Sequence, residues 1–100
     1  MATSKDYLEY ILDQLSDLPG VEYRAMIGEY ILYYQGKIVG GLYDNRLLLK
    51  PAAPTLLPEA PREAPYPGAK PMLLVEETDD RALLQTLVQA VARALPAPKG

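Results

Sequence analysis

Residues 21–50 read VEYRAMIGEYILYYQGKIVGGLYDNRLLLK, and the period of this stretch decides the fold. Over 21–27, Val21, Tyr23, Ala25 and Ile27 alternate with Glu22, Arg24 and Met26, the two-residue repeat of an extended strand. Gly28 breaks the run, and aromatic and branched residues resume from Tyr30 to Tyr34. Gln35-Gly36 turns the chain into a third strand over 37–43, and Asp44-Asn45 turns it again into a short fourth strand over 46–50. Turn signals about every eight residues between β-prone runs predict an antiparallel meander. Two adjacent glycines, Gly40-Gly41, are out of place inside a strand. They predict a bulge, or a position where a helix, another chain or a ligand approaches the backbone.

The period changes on both sides of the meander. Upstream, Tyr7, Leu8, Ile11, Leu12, Leu15 and Leu18 recur every three or four positions, which predicts an amphipathic helix over 4–18. Thr3 or Ser4 caps it, Asp6 and Glu9 complement its positive end, and Pro19-Gly20 stops it. Downstream, 72–76 reads as a fifth strand. A second helix follows, capped by Thr78 or Asp79, with the stripe Leu83, Leu84, Leu87, Val88, Val91 and Leu95. It ends before Pro96, leaving a short tail with nothing to pack.

Between these parts prolines stand at 51, 54, 58, 61, 65, 67 and 71, too often for a helix or a central strand, so 51–71 is expected to be a long loop and a candidate contact surface. Each helical stripe needs an apolar layer to cover. The expected architecture is therefore a two-layer α+β domain spanning 1–100, with an antiparallel sheet of about five strands, both helices on one face, and the order α-β-β-β-β-β-α.

Composition narrows the functions. The 100 residues suffice for one core and not for two. With no cysteine there is neither a disulfide nor a thiolate metal site, which suits a reducing compartment. The N-terminal residues lack the basic-then-apolar layout of a signal peptide, and no apolar run reaches membrane-spanning length, so the expected location is cytoplasmic, without membrane contact. A formal charge of -3 disfavours direct nucleic-acid binding. Having neither histidine nor cysteine, the chain lacks the commonest general base and the commonest thiol nucleophile. No enzymatic activity, cofactor or metal is expected; the carboxylates Glu76, Glu77, Asp79 and Asp80 lack the spacing of a calcium loop.

The run Arg24-Ala25-Met26-Ile27-Gly28-Glu29-Tyr30-Ile31-Leu32-Tyr33, followed by Gly36-Lys37, by Leu47-Leu48-Leu49-Lys50 and by Asp79-Asp80 opening the last helix, resembles the N-terminal domain of TfoX-type competence regulators over nearly the whole chain. Ile27 and Glu29 stand where that family usually has an aromatic residue and a second glycine. The resemblance implies a two-layer α+β fold and a regulatory, non-enzymatic role linked to competence and transcription regulation. It implies no catalytic residue.

The candidate binding residues are Arg24, Met26, Gly28, Tyr30, Tyr33, Gly40, Gly41 and Lys50. Five of the eight tyrosines (Tyr23, Tyr30, Tyr33, Tyr34 and Tyr43) fall in the expected sheet, where the simplest role is packing with the hydroxyl reaching water. If Tyr30, Leu32 and Tyr34 face one way, Ile31 and Tyr33 face the other, leaving an aromatic surface for a partner to cover. The expected function is protein contact by a regulatory or adaptor domain, with a homodimer among its forms. The alternative is a small-ligand or anion site using Arg24 and Lys50, whose simplest role is cross-strand pairing with carboxylates.

Overall fold

A computed structural model describes residues 3–51 and 61–95. Helix α1 (Lys5–Gln14) starts at Ser4, whose hydroxyl accepts from the Tyr7 amide. The chain then forms β1 (Val21–Met26), β2 (Glu29–Tyr34), β3 (Lys37–Leu42), β4 (Leu47–Leu49), β5 (Arg62–Glu63), β6 (Met72–Val75) and α2 (Arg81–Ala94). The sheet order is β1-β2-β3-β4-β6-β5, and every neighbouring pair is antiparallel. This is the expected α+β arrangement, with six strands among the described residues where about five were expected. The added strand, β5, lies inside the proline-rich stretch. It is two residues long and occupies a sheet edge, where a chain rich in proline forfeits few ladder bonds. Residues 52–60 of the expected loop and the expected tail, 96–100, lie outside the described residues.

Several other boundaries differ from expectation by a residue or more. Helix α1 ends in regular form at Gln14, and Leu15 to Leu18 continue as turns whose leucines still reach the core. The fourth strand is shorter than 46–50. Asp80, not Thr78 or Asp79, caps α2, its carboxylate accepting from the Leu83 amide.

The pleat assigns the sheet two faces. Leu32, Tyr34, Val39, Leu42, Leu47, Leu49 and Val75 face the helices and pack on Leu8, Ile11, Leu15 and Leu18 from the first and on Leu84, Leu87, Val88, Val91 and Ala92 from the second. Polar bonds fix the helices to each other and to the sheet. The Arg81 guanidinium reaches Asp17 and Ser16, Gln85 donates to the Gln14 carbonyl, and the Lys37 ammonium donates to the carbonyls of Ala92 (2.7 Å) and Leu95 (3.1 Å) at the negative end of α2.

The turns follow from backbone angles. Gln35-Gly36 (φ 51° and 83°) and Asp44-Asn45 (φ 52° and 57°) each place two residues at positive φ, as the tightest hairpin turns require. The Asp44-Asn45 turn also anchors the start of the chain. Asn45 accepts from the Ser4 amide and donates its own amide to the Thr3 hydroxyl. The Glu29 carboxylate accepts from the amides of Thr3 and Asp44, each at 2.8 Å.

Gly40 and Gly41 account for the centre of the sheet. The β2–β3 register shifts between Leu32 and Tyr33, so that Leu32 opposes Gly40, Tyr33 opposes Ile38, and Val39 is the extra residue of a bulge, turned into the core. A Cβ on Gly40 would lie 2.1 Å from the Leu48 carbonyl oxygen, and one on Gly41 would lie 2.7 Å from the Tyr30 carbonyl oxygen and 2.6 Å from the Tyr43 ring. The close approach expected at this pair is therefore made by the chain's own backbone and a tyrosine ring. Replacing Gly40 with alanine must push β4 away from β3, and we expect a loss of about 3 kcal/mol of unfolding free energy, read by urea denaturation. A loss below about 0.5 kcal/mol would show that the strands separate freely there.

Candidate functional site

The face of the sheet away from the helices carries the chemistry. Its central row runs Arg24, Ile31, Gly41, Leu48 and Leu74 across five strands, and a neighbouring row holds Glu22, Tyr33 and Ile38. In the expected alternation, Leu32 and Tyr34 are buried beneath the helices, and Ile31 and Tyr33 are half-buried on the opposite side. Part of this second face is covered by the chain itself. Between β5 and β6 the chain bends back over it and, with Lys50 and Pro51, encloses a half-open groove of about 630 Å³.

Ile31, Ile38 and Met72 contribute apolar wall from the sheet, Pro65 and Tyr66 contribute it from the loop, and Lys50 and Lys70 contribute two ammonium groups. Among the described residues neither lysine has a carboxylate within ion-pair distance. Another cation on this side, Arg46, is committed to Glu63, which ties the start of β4 to the edge strand.

The structure disperses the residues singled out in the sequence. Lys50 lines the groove, whereas Arg24 lies exposed on β1, three strands away, so the two basic groups do not form one anion site. Gly40 and Gly41 are buried and closed off by close backbone packing. Gly28 adopts φ 77° in the β1–β2 turn and its carbonyl accepts from the Thr3 amide, a backbone role. Tyr30 stacks edge-on against Tyr23, with ring centroids 5.8 Å apart. Met26 is 38% exposed and Ile27, at the tip of the same hairpin, is fully exposed. Asp79 and Asp80, weighed in the sequence as metal ligands, accept from the Tyr10 hydroxyl and cap α2. Among the described residues no cluster of three carboxylates could hold a metal ion, and no helix is long and apolar enough to cross a membrane.

Two features escaped sequence reasoning. Tyr66 and Lys70 sit in a stretch whose prolines signal only irregular backbone, so nothing local places them over the sheet. The second is the exposure of β1. It is an edge strand of six residues, and from Glu22 to Met26 every residue is exposed. Its alternating pattern is that of any half-buried strand, and only the sheet order makes it terminal.

Tyr43 connects the loop to the sheet. Burial, followed by the nearby Tyr66 hydroxyl and the Glu29 carboxylate, raises its pKa above the ordinary tyrosine value of 10.0. The folded chain thus holds the proton more tightly than the unfolded chain, so the stabilisation is fully present below about pH 10 and is lost as pH rises through the folded value. Tyr43→Phe should make unfolding free energy less steeply dependent on pH above about 10 while leaving its pH dependence near neutrality unchanged, measured by urea denaturation across the alkaline range. An unchanged alkaline slope would mean that the hydroxyl ionises freely in the fold.

No protein-family model matches the sequence, and no solved structure matches it. A protein described as an uncharacterised 12.7 kDa protein in the trpE 5′ region of Spirochaeta aurantia is 40% identical over 108 aligned residues, which take in 99% of this chain and 89% of the relative. Identity at this level over nearly the full length of both chains makes this protein a member of the same family as that Spirochaeta aurantia protein.

Proposed function

We propose that this chain is a non-enzymatic regulatory or adaptor domain that works by protein contact through the β1–β2 hairpin. One observation carries the reading: the hairpin leaves Tyr23 (48% exposed), Met26 and Ile27 in solvent beside an edge strand whose outer backbone groups have no neighbouring strand among the described residues. Apolar side chains next to an open edge are a surface that another chain can cover, and an edge strand supplies main-chain bonds while the side chains supply selectivity. The likeness to the TfoX N-terminal domain supports a role in regulation, with the contact taking place in the cytoplasm. The acidic balance of the chain supports a protein partner over nucleic acid.

The experiment is photo-cross-linking in cells with a benzophenone side chain at position 27, and with the same group at exposed Thr86 on α2 as control. Discrete adducts at position 27, absent at position 86, are the expected result. Equal labelling at both positions, or none at 27, would overturn the assignment of the hairpin.

The groove supports a second reading, a site for a small anion with an apolar body, because Lys50 and Lys70 stand beside apolar walls without a carboxylate partner among the described residues. Aromatic carboxylates at millimolar concentration should then raise the melting temperature by a few degrees, on the order of 2 kcal/mol at concentrations well above the dissociation constant. The double substitution Lys50→Gln and Lys70→Gln should abolish that shift. A panel that leaves the native protein's melting temperature unmoved removes this reading.

A further inference from the structure

The backbone of β1 specifies more than an open edge. The two-residue turn at Ile27-Gly28 makes Met26 and Glu29 a pair that exchanges backbone hydrogen bonds, and alternate pairs follow: Arg24 with Ile31, Glu22 with Tyr33, then Gly20 with Gln35, whose amide donates to the Gly20 carbonyl at 2.9 Å. The N–H and C=O groups of Val21, Tyr23 and Ala25 consequently point away from β2, to the side where no strand follows. Natural sheets blunt such edges with proline, bulges, lysines or very short strands. The opposite edge, β5, is two residues long, and its Glu63 is tied to Arg46. β1 has six residues, none of them proline or lysine, and a regular register with β2.

Resting on the protein-contact reading, we propose that the partner at this edge is a second copy of the chain, and that the two β1 strands pair antiparallel about a two-fold axis through Tyr23, extending the sheet across both molecules. Side-chain charge selects the register. With Tyr23 opposite the partner copy's Tyr23, Val21 faces Ala25 of the other chain in hydrogen-bonding positions. Glu22 faces Arg24 of the other chain, twice, in the pairs where side chains come closest. Sliding by one step of two residues in either direction sets Glu22 against Glu22, or Arg24 against Arg24. Sliding by one residue opposes a strand position that offers its bonds outward to one that does not. One register therefore joins about six main-chain bonds with two opposite-charge pairs.

The helix side of the strand agrees with this occupant. Val21, Tyr23 and Ala25 share that face, and a groove of about 480 Å³ lies there between the C-terminal turns of α1 and β1, with Leu12, Leu15, Leu18, Val21 and Tyr23 in its lining beside Ser16 and Glu22. In the proposed register Ala25 of the other chain, opposite Val21, comes to this side of the strand.

The test uses light scattering of the full chain at rising concentration. The native protein should show a concentration-dependent dimer. Arg24→Glu alone, and Glu22→Arg alone, should each weaken it at least tenfold, because each sets like charges opposite one another twice. The double swap Glu22→Arg with Arg24→Glu should restore it. Both side chains are exposed, so the variants are expected to remain folded, with far-UV circular dichroism as the check. Because the chain has no cysteine, a mixture of Glu22→Cys and Arg24→Cys proteins should form a disulfide between the two variants under mild oxidation, faster than either variant with itself. A native protein that stays monomeric to about millimolar concentration, or a dimer indifferent to the single and double swaps, would overturn the proposal. If position 27 still cross-links to a different protein while the native chain is monomeric, self-pairing fails and the adaptor reading stands; if the native chain is monomeric and position 27 gives no adduct in cells, both fail.

Discussion

The approach of β3 to β4 at Gly40 is the constraint on which the rest of the sheet depends. With a Leu48 carbonyl oxygen where a side chain would begin, only glycine lets the two strands pair, and pairing sets Leu42 and Leu49 beside Leu47 on the helix face. The bulge next to it turns Val39 inward as well, so the core receives an additional side chain from the strand that has lost two. A sheet of this size covered by two short helices cannot leave its centre loosely packed, since core methyl groups each contribute about 1 kcal/mol. Gly41 has the same role on the opposite face, where the Tyr43 ring occupies the space above it.

That division by face explains the wealth of tyrosine. Tyr34 is in the core beside leucines, Tyr30 bridges from β2 to Tyr23 on the edge strand, Tyr33 is half-buried on the far side, and Tyr43 lies over Gly41. A phenol ring suits a thin domain because it can bury its ring while its hydroxyl reaches water or a polar neighbour. In a domain with only one helical layer, many positions are of this mixed kind, and the far face is completed in part by the chain from Pro65 to Pro71 instead of by a second layer of helices.

The polar contacts hold the periphery. Glu29 and Asn45 fasten the start of the chain to two turns, Lys37 closes the end of α2, and Arg81 joins the two helices. Exposed ion pairs such as Arg81 with Asp17 contribute under about 1 kcal/mol, so these contacts fix geometry more than they stabilise. Among the described residues they leave β1 as the part of the sheet with the least covering.

Much of this was legible in the amino-acid order, because the period of apolar residues is a local property. A repeat of two residues marks β1, β-prone runs between turn signals mark the next three strands and β6, and repeats of three to four residues mark both helices; Gln35-Gly36 and Asp44-Asn45 mark turns, since positive φ favours those residue types within a few bonds of chain. The oddness of Gly40-Gly41 was visible too, as a place of close approach. What approaches was not: Leu48 and the Tyr30 carbonyl come there only through pairing between strands. Likewise β5 is too short to have a period, Lys50 meets Lys70 and Tyr66 because β6 pairs with β4, and Arg24 stands apart from Lys50 because three strand pairings intervene. Local sterics and periodicity determined the elements, whereas strand order, set by burial of the whole apolar face at once, decided which residues share a groove and which strand is left at the edge.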